Sequence, residues 1–174
     1  MAVSLYDLSV ANYLQTLGGV EGFLAKGLTH FQASKTDPNS ILDERLHADM
    51  LPFKFQVWAT AHHSLGAIKG VKEGVFGPPA AIPATMDYAG LQKAVTDARE
   101  ALQQVKPAEV DAVQGKDMTF QLPPMKIPFI AENFLLSFSL PNFYFHATTA
   151  YDILRHKGVP LGKRDFLGRM RIKT

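Results

Sequence analysis

Four stretches of the chain repeat apolar residues at the spacing of an amphipathic α-helix. They cover about residues 4–31, 52–69, 87–105 and 131–157. The fourth is followed by Gly158, a residue typical of the position just after a helix. The pattern therefore predicts four long helices.

Two connecting segments have a different pattern. Residues 75–85 contain one glycine and three prolines, which predicts a loop that covers the surface or rims a pocket. In residues 112–130, apolar and polar positions alternate on both sides of Pro123-Pro124, which predicts a small β-hairpin at the edge of the fold. Pro141 lies inside the fourth stretch, so we expect that helix to be kinked or divided in two.

These elements predict an all-α protein built as a four-helix bundle. The β-hairpin is inserted before the last helix, and the proline-rich loop joins the second and third helices. At 174 residues, the chain is long enough for one domain that buries about two-thirds of its surface. We therefore expect a single domain over residues 1–174.

Composition and charge exclude several partners. The formal net charge of +2 is too small to indicate a nucleic-acid partner. The absence of cysteine excludes disulfides, thiolate zinc sites and cysteine nucleophiles. The first residues have no basic region typical of a signal peptide, and no apolar run approaches the roughly 18 residues of a membrane span. We expect a cytoplasmic protein that has no membrane partner.

Histidines on the second and fourth predicted helices are candidates for chemistry. At about 100° per residue, His63 lies at the edge of the apolar face in one stripe with Gln56, while His62 points towards solvent. On the fourth helix, His146 lies on the apolar face with Asn142 at its edge. A lone histidine on such a face is usually a satisfied core residue, which is the structural interpretation of His146.

Two motifs resemble a known family. The segments RLHADMLPFKFQV and LPNFYFHATTAYDILRHKGVPLGKRDFLG are similar to domain of unknown function 1993, and the resemblance extends over essentially the whole chain. That family is grouped with the DinB/YfiT-like four-helix bundles. Many of those bundles bind a divalent metal through three histidines, one from the second helix and two, at i and i+4, from the fourth. Matched onto this sequence, the three positions are Gln56, Asn142 and His146.

The matched positions argue against a metal as the expected cofactor. Two of the three implied imidazoles are amides here, and amides are poor ligands for zinc or nickel. We therefore expect no cofactor. The alternative is a divalent-metal enzyme with a different ligand set, His47, His63 and His146, which requires His47 to fold inwards.

The preferred hypothesis is a metal-free pocket between the second and fourth helices that binds or converts a small molecule. His146 and His63 are the predicted acid–base catalysts because imidazole titrates near neutrality. Isomerisation, cyclisation, dehydration and hydrolysis are all compatible with such a pocket. The predicted substrate-binding residues are Gln56, Asn142, Phe143, Tyr144, Tyr151, Lys163 and Arg164.

Two alternatives stay open. Lys163 and Arg164 bind an anionic substrate in one interpretation, and tie the tail to the bundle with Asp165 in the other. The whole chain has a non-catalytic interpretation as well, in which the bundle forms a homodimer. The polar residues of the predicted pocket then only satisfy one another inside the core.

Overall fold

The computed structural model describes residues 3–173, so Met1, Ala2 and Thr174 of the predicted domain lie outside the described residues. The α-helices are α1 (Leu5–Leu8), α2 (Val10–Ala33), α3 (Phe53–Ala61), α4 (Ala67–Glu73), α5 (Tyr88–Gln103), α6 (Pro107–Asp111), α7 (Ala131–Asn133), α8 (Leu140–His156) and α9 (Lys163–Leu167). The strands are β1 (Val75–Phe76), β2 (Asp117–Leu122) and β3 (Met125–Ile130). A 3₁₀ turn covers Pro38–Ile41, and π-helical segments cover His62–Gly66 and Phe134–Ser139.

The first predicted helix is broken near its start. Ser9 separates α1 from α2 with φ −118° and ψ −78°. Its hydroxyl donates a hydrogen bond to the carbonyl of Leu5 (2.6 Å), which satisfies a carbonyl at the end of α1. The predicted long helix therefore begins with the short separate helix α1.

The second and fourth predicted helices share an unusual feature, a π-helical segment in their interior. The helix formed by α3 and α4 stays helical through His62–Gly66 and ends at Gly74, whose φ of +78° favours glycine. The helix formed by α7 and α8 contains the π-helical segment Phe134–Ser139, which ends two residues before Pro141. It is continuous and not divided into two helices. Proline has no N–H to donate, and the change of hydrogen-bond register occurs in the turn just before it.

The proline-rich loop runs back along α3 and determines the direction of α5. The indole Nε1 of Trp58 donates to the carbonyl of Ala80 (3.0 Å). Further along, Tyr88 stacks on Phe53 at the start of α3, with 6.1 Å between ring centroids. The chain thus returns to the N-terminal end of α3, and α5 runs parallel to it. The predicted role of this loop as a cover or rim is confirmed.

The predicted hairpin is present, with one addition. Strands β2 and β3 pair antiparallel, and β1 pairs with β2 in parallel, so the sheet order is β1-β2-β3. Pro128 lies on the edge strand β3, as expected for a residue without an N–H. The fold is thus predominantly helical with a small three-stranded sheet, and the all-α prediction is corrected in that respect.

The core lies between the long helices. α2 packs on α5 and α8, and α3 packs on both α5 and α8. Fully buried aromatic side chains fill the space between them: Tyr13, Phe23, Phe53, Phe134 and Phe143. Along residues 3–173, no helix is both long and apolar enough to cross a membrane.

Candidate functional site

The two π-helical segments meet, and a buried hydrogen-bond chain joins them. The hydroxyl of Ser139 donates to the backbone carbonyl of His63 (2.7 Å), and Tyr13 donates its phenolic hydrogen to Ser139 (2.9 Å). Burial raises the pKa of Tyr13, so its hydroxyl stays a donor. This chain holds His63 in place beneath α8. Such π-helical segments are frequent at functional sites.

His63 is buried among aromatic rings. Its residue is 6% exposed, and its ring lies 5.6 Å from the ring of His146 at an interplanar angle of 24°. The ring nitrogen Nδ1 is buried and has no hydrogen-bond partner in the described chain. Burial, followed by the nearby imidazoles of His146 and His62, lowers the pKa of His63 to about 3. His63 is therefore neutral at physiological pH, and its interior position is as predicted.

Gln56 determines the tautomer of His146. The amide Nε2 of Gln56 donates to the carbonyl of Leu51 (2.7 Å), which turns its Oε1 towards Nδ1 of His146 at 2.8 Å. Because Oε1 can only accept, Nδ1 of His146 is the nitrogen that bears the hydrogen. The other ring nitrogen, Nε2, keeps a free lone pair. Burial, with a smaller contribution from His62, lowers the pKa of His146 to about 4.

Aromatic rings flank the partly exposed imidazole of His146. Phe55 contacts it edge-on at 5.7 Å and Phe145 at 5.4 Å, measured between ring centroids. Phe145 itself is 56% exposed. His146 thus lies at a partly exposed aromatic surface, and the ring of the buried His63 stacks on it.

His62 does not point into solvent as the helical spacing predicted. Its ring is half-buried and stacks on Phe76 with 4.5 Å between centroids. Its Nε2 lies 2.8 Å from the carbonyl of Gly77, so Nε2 bears the hydrogen and Nδ1 has the lone pair. Burial lowers the pKa of His62, and the bond to Gly77 partly opposes this. The correction has a simple cause: the proline-rich loop covers a helix face that the spacing alone leaves exposed.

A cleft of about 540 Å³ lies on that side of the helix, between α3, α4 and α5, and the proline-rich loop borders it. The sequence interpretation missed this cleft, although the loop was expected to rim a pocket. The spacing i, i+4, i+7, i+11 along α3 and α4 is the signal that could have revealed it. The residues at that spacing that line the cleft are Trp58, His62, Leu65 and Lys69.

Asn142 does not join Gln56 and His146. Its amide Nδ2 donates to the carbonyl of Phe138, one turn earlier on the same helix (2.8 Å). Both amides expected to orient a substrate thus donate to backbone carbonyls. Of the three positions implied by the family pattern, the structure brings together only Gln56 and His146.

Three aromatic residues expected in the pocket lie elsewhere on α8. Phe143 is fully buried against Tyr13, with 4.9 Å between centroids. Tyr151 packs on other rings near α2 and α9, and Tyr144 lies beside the same helices. For Tyr144 the reason is the helical period, because it is two residues from His146 and so lies on nearly the opposite side of the helix. Phe143 shares the face of His146, but it packs into the core against Tyr13.

The basic and loop residues are also apart from the two histidines. Lys163 and Arg164 lie exposed on α9, which packs on α2, and their neighbour Asp165 pairs with Lys26. His47 is 73% exposed and pairs with Asp49. The structure therefore brings neither the basic residues nor His47 to His63 and His146.

The residues present do not fit a DinB-type metal centre. In the described part of the chain, no group of three or more His, Cys, Asp and Glu side chains lies close enough to hold a metal ion. A catalytic zinc site takes three protein ligands, usually imidazoles or carboxylates. Here two imidazoles meet one amide, Gln56, whose oxygen already accepts from His146.

Comparisons with known proteins identify the family of the chain and a solved structure with a similar fold. The model of the domain of unknown function DUF1993 matches residues 5–167. Among solved structures, the chain is similar to the crystal structure of a DinB family member protein from Shewanella denitrificans. That similarity has 26% sequence identity and a TM-score of 0.80, and it covers 98% of this chain and 95% of that chain. No curated protein matches. Since the family model spans most of its length, the resemblance is confirmed and the chain belongs to the DUF1993 family.

Proposed function

We propose that the protein binds a small organic molecule at the aromatic surface around His146 and that His146 accepts a proton from it without a metal. The observation that supports this proposal most strongly is the tautomer of His146. Gln56 accepts the hydrogen of Nδ1, so the lone pair of Nε2 is available. The ring of the buried His63 stacks on this ring, and its Nδ1 has no hydrogen-bond partner among residues 3–173.

The low pKa of His146 restricts the chemistry. An imidazole with a pKa of about 4 is unprotonated at neutral pH, but it is a weak base. It suits a substrate O–H or N–H that becomes acidic in the transition state, as in isomerisation, cyclisation, dehydration or hydrolysis. Gln56 acts as a positioning residue because it touches the ring of His146 and orients its lone pair.

The remaining features belong to the same proposal. The four long helices form a DinB/YfiT-like bundle, the protein is cytoplasmic, and two copies form a homodimer. The non-catalytic homodimer and the metal-dependent enzyme stay as alternative predictions. The donor set around His146 supports the metal-free reaction over the metal-dependent one.

Hydrolysis of p-nitrophenyl acetate tests the proposal, because a neutral imidazole catalyses that reaction. An ordinary exposed histidine is mostly protonated at pH 5, whereas a histidine with a pKa of about 4 is mostly neutral. We expect hydrolysis that persists at pH 5 and falls at least about 10²-fold in His146→Ala. The exposed His47→Ala variant is the matched control and should retain the full rate.

Stability measurements on the same variants complete the test. If His146→Ala loses several kcal/mol of unfolding free energy while its rate at pH 5 equals that of the wild type, His146 is a structural residue. That result contradicts the proposal and favours the non-catalytic alternative.

A further inference from the structure

The cleft beneath the proline-rich loop is separate from the site at His146. His62 and His63 are adjacent in the chain, and only His62 borders the cleft, while His63 packs against His146. The cleft volume of about 540 Å³ lies within the usual range for small-molecule sites. This space is therefore available to a second ligand.

The cleft is elongated and mostly apolar. Trp58 and Lys69, both of which line it, are eleven residues apart on one helix, a separation of about 16 Å at 1.5 Å per residue. Between them the surface is largely apolar. Besides Trp58, the apolar side chains that line it are Ala61, Leu65, Ala80, Met86, Ala94 and Ala98. An extended hydrocarbon body matches both the shape and the composition of this surface.

The charges at the cleft favour a single negative charge on the ligand. Lys93 pairs with Asp97 through bonds of 2.6 and 2.7 Å, so these two charges cancel. Lys69 has no ion pair within residues 3–173. His62 offers only the lone pair of Nδ1, since its Nε2 is bonded to Gly77. The lining thus has one uncompensated positive charge, at Lys69.

We infer that this cleft binds a lipophilic monocarboxylic acid, with the hydrocarbon chain along Trp58 and Leu65 and the carboxylate at Lys69. The ammonium of Lys69 donates hydrogen bonds to the carboxylate oxygens. The hydrocarbon chain removes the apolar walls from water. This site is independent of the proposed proton transfer, because His146 does not line the cleft.

Trp58 is the only tryptophan of the chain, so its fluorescence reports occupancy without a label. We would titrate the protein with octanoate and with 1-octanol, an uncharged analogue, below the concentration at which octanoate forms micelles. The expected result is saturable binding in which octanoate is tighter than octanol. Lys69→Gln should weaken octanoate about three- to fivefold and leave octanol unchanged.

Two further variants make the test decisive. Lys72 lies on the same helix as Lys69 but pairs with Glu109. The Lys72→Gln variant should therefore bind octanoate like the wild type. Ala94→Leu reduces the space in the cleft and should weaken both ligands, with circular dichroism to confirm its fold. The proposal is overturned by the absence of saturable octanoate binding, by equal octanoate affinity in Lys69→Gln, or by undiminished binding in Ala94→Leu.

Discussion

His62 and His63 are neighbours in the sequence, but they lie on two very different sides of one helix. His63 faces a closed aromatic layer against α8, where a buried hydrogen-bond chain holds its backbone. His62 borders a cleft that α5 and the proline-rich loop also line. Burial lowers the pKa of both rings, and a cleft of about 540 Å³ lies on the His62 side. We conclude that the environment of a side chain, more than its type, decides its role here.

We call the aromatic layer between His63 and α8 the closed side, and we expect the stability of the protein to depend on the packing there. Phe143→Ala tests this expectation and should have the largest effect. Phe143 is fully buried against Tyr13, so its loss leaves a cavity. We expect the free energy of unfolding to fall by about 3–5 kcal/mol. Phe145→Ala, two residues away and 56% exposed, is the control and should cost far less. Urea denaturation measures both variants. If Phe143→Ala and Phe145→Ala lose equal free energy of unfolding, the buried and exposed sides of α8 do not differ as described.

Acid should destabilise the closed side. The pKa of His63 is lowered to about 3, below its ordinary value of 6.5, so the unfolded chain binds more protons between these values. Stability is therefore complete above about pH 6.5 and falls as the pH decreases towards 3, by up to about 1.4 kcal/mol per pH unit for this residue. His63→Phe keeps an aromatic ring and should reduce the slope of the unfolding free energy against pH by the contribution of His63. The contributions of His146 and His62, whose pKa values are also lowered, should remain.

The control for this pH dependence is an exposed histidine. His47→Gln removes a side chain that is 73% exposed and should leave the slope unchanged. A wild-type slope that persists in His63→Phe would mean that His63 is not the buried neutral group described above.

Gln56→Leu tests two roles of Gln56, its contribution to stability and its control of the tautomer of His146. The substitution leaves the Nδ1 hydrogen of His146 and the carbonyl of Leu51 without their partner. We expect a loss of about 1–3 kcal/mol in the free energy of unfolding, together with a smaller fraction of the Nδ1–H tautomer in ¹⁵N NMR. Gln103→Leu, at the exposed end of α5, is the control. An unchanged tautomer in Gln56→Leu would remove Gln56 from its positioning role.

A substitution on the side of His62 and the cleft should cause the smallest change in the free energy of unfolding. Trp58→Phe removes the hydrogen bond to Ala80, and we expect a loss of about 0.5–1.5 kcal/mol at most. Hydrogen exchange should become faster in residues 77–86, while the amides of α8 stay protected. A uniform increase across both regions would indicate that the loop and the closed side unfold as one unit.

Periodicity predicted the four long helices, the hairpin and the burial of His63, because each depends on local spacing. The helical spacing on α8 could also have shown that Tyr144 and Tyr151 do not join His146, because both lie on nearly the opposite side of the helix. The π-helical segments could not be predicted, since their register depends on contacts such as Ser139 with His63. The position of His62 depends on a loop that returns from another part of the chain.

The site itself was only partly predictable. Gln56 and His146 came from the family pattern, and the structure joins them by a hydrogen bond. Asn142 fits the same pattern, but its side chain bonds to the carbonyl of Phe138 just before Pro141. Side-chain orientation at a helix irregularity is decided by local backbone acceptors, which spacing does not show.

The most direct test of the proposed chemistry is ¹⁵N NMR of the histidine rings in the wild-type protein at pH 7. We predict that His146 is neutral with its hydrogen on Nδ1 and that His62 is neutral with its hydrogen on Nε2. The two residues thus have opposite tautomers. Substitution of each histidine in turn assigns the signals. A protonated His146, or one with its hydrogen on Nε2, would contradict the account, because no lone pair would then be available to a substrate.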